Sequence, residues 1–169
     1  YLIALSLQNN SNKKIILDVK ASQILIDTLT KDGFEVIIAA SGHSLMRTKV
    51  ISENAILVGE SSGHFIINDG KYLPIDDALY MALRVIEYLQ NNPIIELPLA
   101  PIRKEFKIAK NNKLNPEIYK PEGLRKSYPG RGFWLIRASN TEDNILVKYE
   151  AMNKTIVALI IEELTQYLH

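Results

Sequence analysis

An alternation of patterns constrains this chain most. Through its first hundred residues, short apolar runs rich in β-branched side chains take turns with stretches of helical period, as in an α/β unit. Residues 13–19 read as a strand, and 22–31 as a helix with Ile24, Leu25, Thr28 and Leu29 on one face and Gly33 as the residue that ends it. Residues 35–40 form a second predicted strand, 44–52 a second helix, 55–58 a third strand and 64–68 a fourth. Each strand is short, and each is expected to be buried. The clearest helix spans 76–90, where Ile75, Ala78, Leu79, Ala82, Val85, Ile86 and Leu89 repeat at i, i+3, i+4, i+7 spacing. Pro74 precedes it, and Asp76 and Asp77 stand where a helix N-terminus favours negative charge.

The pattern stops at Asn91-Asn92-Pro93, and a stretch holding Pro93, Pro98 and Pro101 follows. Such a stretch predicts a domain boundary, dividing the chain into 1–97 and 98–169. Residues 103–128 are polar, basic and broken by Asn, Pro and Gly, so they read as mostly irregular. Residues 132–137 and 144–150 look like two strands of a hairpin, and the chain closes on a helix over about 154–168 whose core face is Ile156, Val157, Ile160, Leu164 and Leu168.

Composition narrows the function classes. Twenty basic residues balance nineteen acidic ones, so no whole-chain field calls for nucleic acid or a membrane surface. Residues 101–131 hold nine of the basic residues against three acids, but such a tract is most often solvated surface and is weak ground for RNA or DNA binding. There is no cysteine, which removes disulfides and thiolate chemistry and fits a reducing compartment. No apolar run approaches the ~20 residues of a membrane span, and the opening lacks the basic flank of a signal peptide. A soluble protein is expected, and a first residue other than Met reads as a processed or excised piece.

Two polar loops framed by predicted strands can carry chemistry. In Gly59-Glu60-Ser61-Ser62-Gly63-His64 a carboxylate and a hydroxyl two residues apart can share one side of the chain, the acceptor and donor set that grips adjacent sugar hydroxyls. A plain polar hairpin loop is the commoner meaning of such a hexapeptide. In Arg137-Ala138-Ser139-Asn140-Thr141-Glu142 a guanidinium, two hydroxyls and an amide form a donor-rich set suited to a phosphate dianion. A turn closed by Ser and Asn on their own backbone explains the same spacing equally well. His43 and His64 each follow a Ser-Gly pair, where an imidazole is readily exposed and can act as acid or base. Lys20 ends the first predicted strand, a place where α/β sheets bind ligands. His169 is terminal.

Five segments in order resemble the α-D-phosphohexomutase superfamily. Asp18-Val19-Lys20-Ala21-Ser22 is similar to its DVKCS stretch, Ser41-Gly42-His43-Ser44 to TGHS, and GESSGH at 59–64 to the sugar-binding GEMSGH. Asp76-Asp77-Ala78-Leu79-Tyr80 resembles FDDGIY, and RASNTE at 137–142 matches RASNTEP. Because the phosphoglucosamine mutases carry RPSGTEP there, the resemblance favours the phosphomannomutase/phosphoglucomutase branch, and within it the C-terminal half of a bacterial enzyme.

The resemblance implies an α/β third domain over 1–97 and a small α+β fourth domain with an antiparallel sheet over 98–169, the latter short before Gly123 where the family has a helix. It implies that Glu60 and Ser62 bind sugar hydroxyls, that His64, Lys20 and His43 serve catalysis by lining the space where the phosphoryl group moves, and that Arg137, Ser139, Asn140 and Thr141 bind the phosphate that stays. The implied reaction interconverts the 1- and 6-phosphates of mannose or glucose through a phosphoserine, with Mg2+ as cofactor and a hexose 1,6-bisphosphate as intermediate. Neither a serine loop like TASHNP nor a metal loop like DGDGDR is in these residues, so this chain holds no metal ligands of that kind and is expected to be inactive alone. The implied partners are a hexose phosphate and the N-terminal half of the same enzyme, with no nucleic acid and no membrane, in the cytoplasm. The alternative is a non-catalytic module that binds sugar phosphates or a protein. Ser61 stands where the family has Met, and Asp143 where it has Pro.

Overall fold

Ile15, Ile16 and Leu17 are buried because the strand that carries them, β1 (Lys14–Asp18), has a neighbour on each side. In the computed structural model β1 runs parallel to β2 (Glu35–Ala39), from Lys14↔Glu35 to Asp18↔Ala39, and parallel to β3 (Leu57–Gly59), with Leu17 opposite Gly59. The last strand of this sheet, β4 (Phe65–Ile67), is antiparallel to β3, giving the order β2-β1-β3-β4. The structure describes residues 1–94, 96, 99–110, 114–139 and 142–168. They form two compact units, Tyr1–Ala21 with Thr28–Leu97, and Ser22–Asp27 with Pro98–His169.

The expectation that every short strand is buried fails for β2, which begins exposed and is mostly half-buried. It is an edge strand, so its backbone has a partner on one side only and its side chains lie nearer to solvent. α2 (Gln23–Lys31) ends as the sequence predicts: Gly33 takes a φ of +88° and the Phe34 amide donates back to the Leu29 carbonyl at 3.0 Å. α3 (His43–Ser52) drives Met46 and Val50 into a core with Ile16, Ala39, Ala55, Val58 and Ile66.

The helix expected from residue 76 starts later, as α4 (Ala78–Asn91), because Asp77 caps it by accepting the Tyr80 amide at 3.0 Å. Asp76 is left outside the helix, in an isolated antiparallel bridge with Ile66. The apolar period of α4 is real, but the face it marks is open: Leu79 is 70% and Ile86 55% exposed. A short helix that the sequence reading missed, α1 (Leu2–Ser6), packs near α4, where Arg84 donates to the Ser6 carbonyl at 2.9 Å.

The second unit holds an antiparallel sheet of order β5-β8-β7-β6, formed by β5 (Ile102–Ala109), β6 (Leu124–Tyr128), β7 (Gly132–Ala138) and β8 (Asn144–Ala151). The reading of 103–128 as mostly irregular is therefore corrected. β5 and β6 are the two edges, and six of the eight residues of β5 are exposed, so it shows no apolar alternation; what makes it a strand is backbone pairing with β8, from Ile102↔Ala151 to Ala109↔Asn144. Between β5 and β6 the described residues carry a single 3-10 turn, Pro116–Tyr119.

α5 (Lys154–Leu168) buries Ile156, Ile160 and Leu164 against Trp134, Ile136, Ile145 and Val147. On the same helix the Glu163 carboxylate accepts from Lys126 Nζ at 2.5 Å, from Trp134 Nε1 at 2.8 Å and from the Tyr128 hydroxyl. Burial acts to raise its pKa, and these three bonds outweigh burial, holding it below the ordinary carboxylate value. A carboxylate depressed in the folded state contributes stability that is complete above its unfolded pKa and is lost as pH falls through the folded one. Glu163→Gln, which turns a donor toward donors, should cost about 1–2 kcal/mol in urea unfolding at neutral pH. The gap between wild type and variant should close in acid, and an equal gap at both pH values would show that packing, not charge, is what Glu163 supplies.

Candidate functional site

Three loops leave the carboxyl ends of β1, β2 and β3, the end of a parallel sheet where ligands bind. Two buried carboxylates tie these loops together. Asp18, at the end of β1 and 0% exposed, accepts the Ser41 hydroxyl at 3.0 Å and the Ser61 hydroxyl at 2.9 Å, with Lys20 Nζ at 3.5 Å from the same oxygen. One carboxylate thus holds residues that follow all three strands. Glu60, 7% exposed, accepts the Gly42 amide on one oxygen at 2.8 Å and the Ser62 hydroxyl on the other at 3.0 Å. The pairing of residues 60 and 62 anticipated from their spacing is a direct hydrogen bond.

His43 opens α3 and His64 follows the β3 loop, and the fold sets their rings 5.2 Å apart edge to face. Asp76 lies against both: its Oδ2 is 2.6 Å from His64 Nδ1 and 3.7 Å from His43 Nε2. Its other oxygen accepts the Phe65 amide at 3.3 Å, so β4 orients it. Lys20 has the Asp18 carboxylate as its ion-pair partner.

In the second unit Arg137 stands near the end of β7, 5% exposed, with Nε donating to the Ala138 carbonyl at 3.2 Å. The Ser139 amide donates to the Asn144 carbonyl at 2.9 Å, and its hydroxyl oxygen accepts the Glu142 amide at 3.1 Å. Ser139 therefore takes part in the local turn that was one of the two readings of this spacing. The expected phosphate ligands Asn140 and Thr141 lie outside the described residues. Two acids in this loop are neutralised from the β5 side: Glu142 by Lys107 at 2.6 Å and Asp143 by Lys110 at 3.2 Å. Hydrogen bonds from Lys107 and then Asn144 hold the Glu142 carboxyl below its usual range. The charge that Asp143 adds where the family has Pro is thus paired.

Sequence reasoning missed four members of these clusters, Asp18, Ser41, Ser61 and Asp76. Asp18 and Ser41 lie within the quoted motifs without a role, Asp76 is read there only as charge at a helix N-terminus, and Ser61 only as a departure from the family's Met. Asp18 carried a signal, an acid directly after the apolar run 15–17, whereas Asp76 reaches His64 only through a strand pairing.

Residues 1–103 match the family described as phosphoglucomutase/phosphomannomutase, alpha/beta/alpha domain III. A phosphoglucomutase of Neisseria meningitidis serogroup A is 30% identical over 176 aligned positions, covering 91% of this chain and 38% of that protein. The crystal structure of a phosphoglucomutase/phosphomannomutase family protein from Burkholderia thailandensis superposes with a TM-score of 0.79 at 30% identity, over 98% of this chain and 39% of the other. An Aspergillus fumigatus N-acetylphosphoglucosamine mutase, solved in complex with GlcNAc-6P and magnesium, shares the fold at 12% identity and a TM-score of 0.60, over 99% of this chain and 44% of its own. The chain spans about two fifths of the length of these relatives.

Proposed function

The chain belongs to the phosphoglucomutase/phosphomannomutase family, and from that premise we propose that it is the part of a phosphohexomutase that grips the sugar and its resting phosphate, its two units serving as the family's third and fourth domains. The observation that carries this reading is the Glu60–Ser62 pair at the ligand-binding end of a parallel sheet, a buried carboxylate that accepts the exposed Ser62 hydroxyl on one oxygen and the Gly42 amide on the other. Each carboxylate oxygen accepts more than one bond, so both partners keep capacity for the hydroxyls of a hexose.

His64 is the group suited to moving a proton at the reacting sugar oxygen. With Nδ1 held on Asp76, the ring presents Nε2 as the acceptor for that proton. Lys20 supplies positive charge and His43 a ring nitrogen where a phosphoryl group is transferred, a reaction that depends on positioning and neutralisation. In the second unit Arg137 with Ser139, Asn140 and Thr141 holds the phosphate that stays.

Magnesium does not fit the residues present. Among the described residues the cluster able to hold an ion, His43, His64 and Asp76, offers two nitrogens and one carboxylate, whereas magnesium takes oxygen ligands. The metal, the phosphoserine and the bisphosphate chemistry are assigned to an enzyme that includes an N-terminal partner segment, working in the cytoplasm.

The test of the phosphate assignment is calorimetric titration of glucose 1-phosphate into the chain, joined to its partner segment where the chain alone binds too weakly. Arg137→Ala should weaken binding at least about tenfold, the worth of a charge-assisted bond, and Arg137→Lys should recover part of it because charge survives without the bidentate fork. Lys104→Ala, on the exposed edge of β5, should change affinity by no more than about twofold, since its charge is screened. Equal losses for Arg137→Ala and Lys104→Ala would move the phosphate from the 137–142 loop to the basic strand.

A further inference from the structure

Nothing in the mutase reading calls for three metal-ligating side chains at one point, yet the first unit brings them together. His43 comes from the start of α3, His64 from the end of the β3–β4 connection and Asp76 from the bridge before α4, and one ligand atom from each lies within 4.8 Å of the other two. We propose that His43, His64 and Asp76 form a binding site for one transition-metal ion of the zinc class, distinct in ligand chemistry from a magnesium site.

The donor set decides the ion. Two imidazoles and a carboxylate match zinc, cobalt, nickel and copper, and three protein ligands plus an open position is the arrangement of exchangeable zinc sites. Bonds of about 2.0–2.2 Å in a tetrahedron place ligand atoms roughly 3.3–3.6 Å apart. The His43 Nε2 to Asp76 Oδ2 distance of 3.7 Å already meets that spacing. The His64 Nδ1 to Asp76 Oδ2 distance of 2.6 Å is that of a hydrogen bond, and an ion replaces this proton by drawing the two atoms apart by about 1 Å. The side chains have room to do so, since His43 is 46% and His64 50% exposed, and the same exposure leaves the fourth position to water. Asp76 is the fixed member. Its second oxygen takes the Phe65 amide and its backbone pairs with Ile66, the outer-shell support that sets a ligating carboxylate. Binding requires only these three side chains, so it can be measured without turnover.

Titration of the 169-residue chain with Co2+, followed by its visible absorption, and with Zn2+ by calorimetry tests the site. The expected result is one ion per chain, with the intense visible band of four- or five-coordinate cobalt, displaced by Zn2+ and not by Mg2+. His43→Ala and Asp76→Asn should each weaken Zn2+ binding by more than about a hundredfold, beyond the roughly 10–100-fold lost with outer-shell partners alone. Both residues are surface groups whose loss leaves the fold readable by circular dichroism, and Asp76→Asn keeps the shape of the side chain. His169→Ala should leave binding unchanged. Weak octahedral absorption, or affinity that is indifferent to His43→Ala and Asp76→Asn, would overturn the proposal, as would a loss seen only with His169→Ala.

Discussion

Incubated alone with magnesium and a hexose 1,6-bisphosphate, the 169-residue chain should convert neither glucose 1-phosphate nor mannose 1-phosphate at a measurable rate. In the proposed roles the residues present only bind and orient: the Glu60–Ser62 pair for hydroxyls, Arg137 and its loop for phosphate, and the His64–Asp76 pair for a proton. None of them can carry a phosphoryl group in the way the family's serine loop does, and no run like TASHNP or DGDGDR stands in the sequence. Where a nucleophile has been removed from an enzyme, the remaining binding groups leave an acceleration of about 10³–10⁴ over water. Phosphate monoesters react so slowly unaided that such a remnant stays far below detection. A coupled dehydrogenase assay on protein purified through two orthogonal steps measures it. Turnover that co-purifies with the chain, and that disappears in His64→Ala, would mean that these residues hold a complete catalytic set.

Mixing the chain with a polypeptide that carries the N-terminal segment should restore turnover, and Glu60→Gln should then lower it by about a hundredfold while the complex still forms. Backbone continuity is not a chemical requirement, but separation adds an association cost of about 4–15 kcal/mol that the shared surface must offset. Co-expression is the direct way to meet that cost. Glu60 is suited to a clean test because Gln keeps one carbonyl oxygen for the Gly42 amide, so the α3 entrance is preserved. The lost charge and the amide group now facing Ser62 disturb the Glu60–Ser62 pair, and misplacement of a substrate by about 1 Å costs about a hundredfold in rate. Gel filtration reads assembly and the coupled assay reads turnover. Halves that associate and stay inactive would count against the mutase assignment of this chain, and a Glu60→Gln variant that fails to assemble would replace the sugar-binding role by a structural one.

Much of the candidate site was legible because it is written in short loops between strongly patterned elements. GESSGH and RASNTE each lie next to an apolar run, so strand and loop are read together, and the Glu60–Ser62 bond follows from spacing within three residues. β5 was illegible for the opposite reason. An edge strand with six of eight residues exposed has no face to alternate, and its pairing partner lies some 40 residues away in the chain. Yet β5 matters to the loop, since Lys107, on it, and Lys110, just beyond it, neutralise Glu142 and Asp143.

By itself the sequence determined the order and kind of most elements, the Gly33 helix end and which loops carry polar chemistry, because helical and strand periods are local and each loop motif is contiguous. Only the tertiary structure decided that Asp18 joins Lys20, Ser41 and Ser61, that Asp76 stops short of α4 and meets His43 and His64, and that the apolar face of α4 marked by Leu79 and Ile86 is left exposed. These outcomes depend on which strands lie side by side, on a cap that competes with one more helical residue, and on what covers a face. Such choices are settled by contacts between residues far apart in the chain, which no local period records.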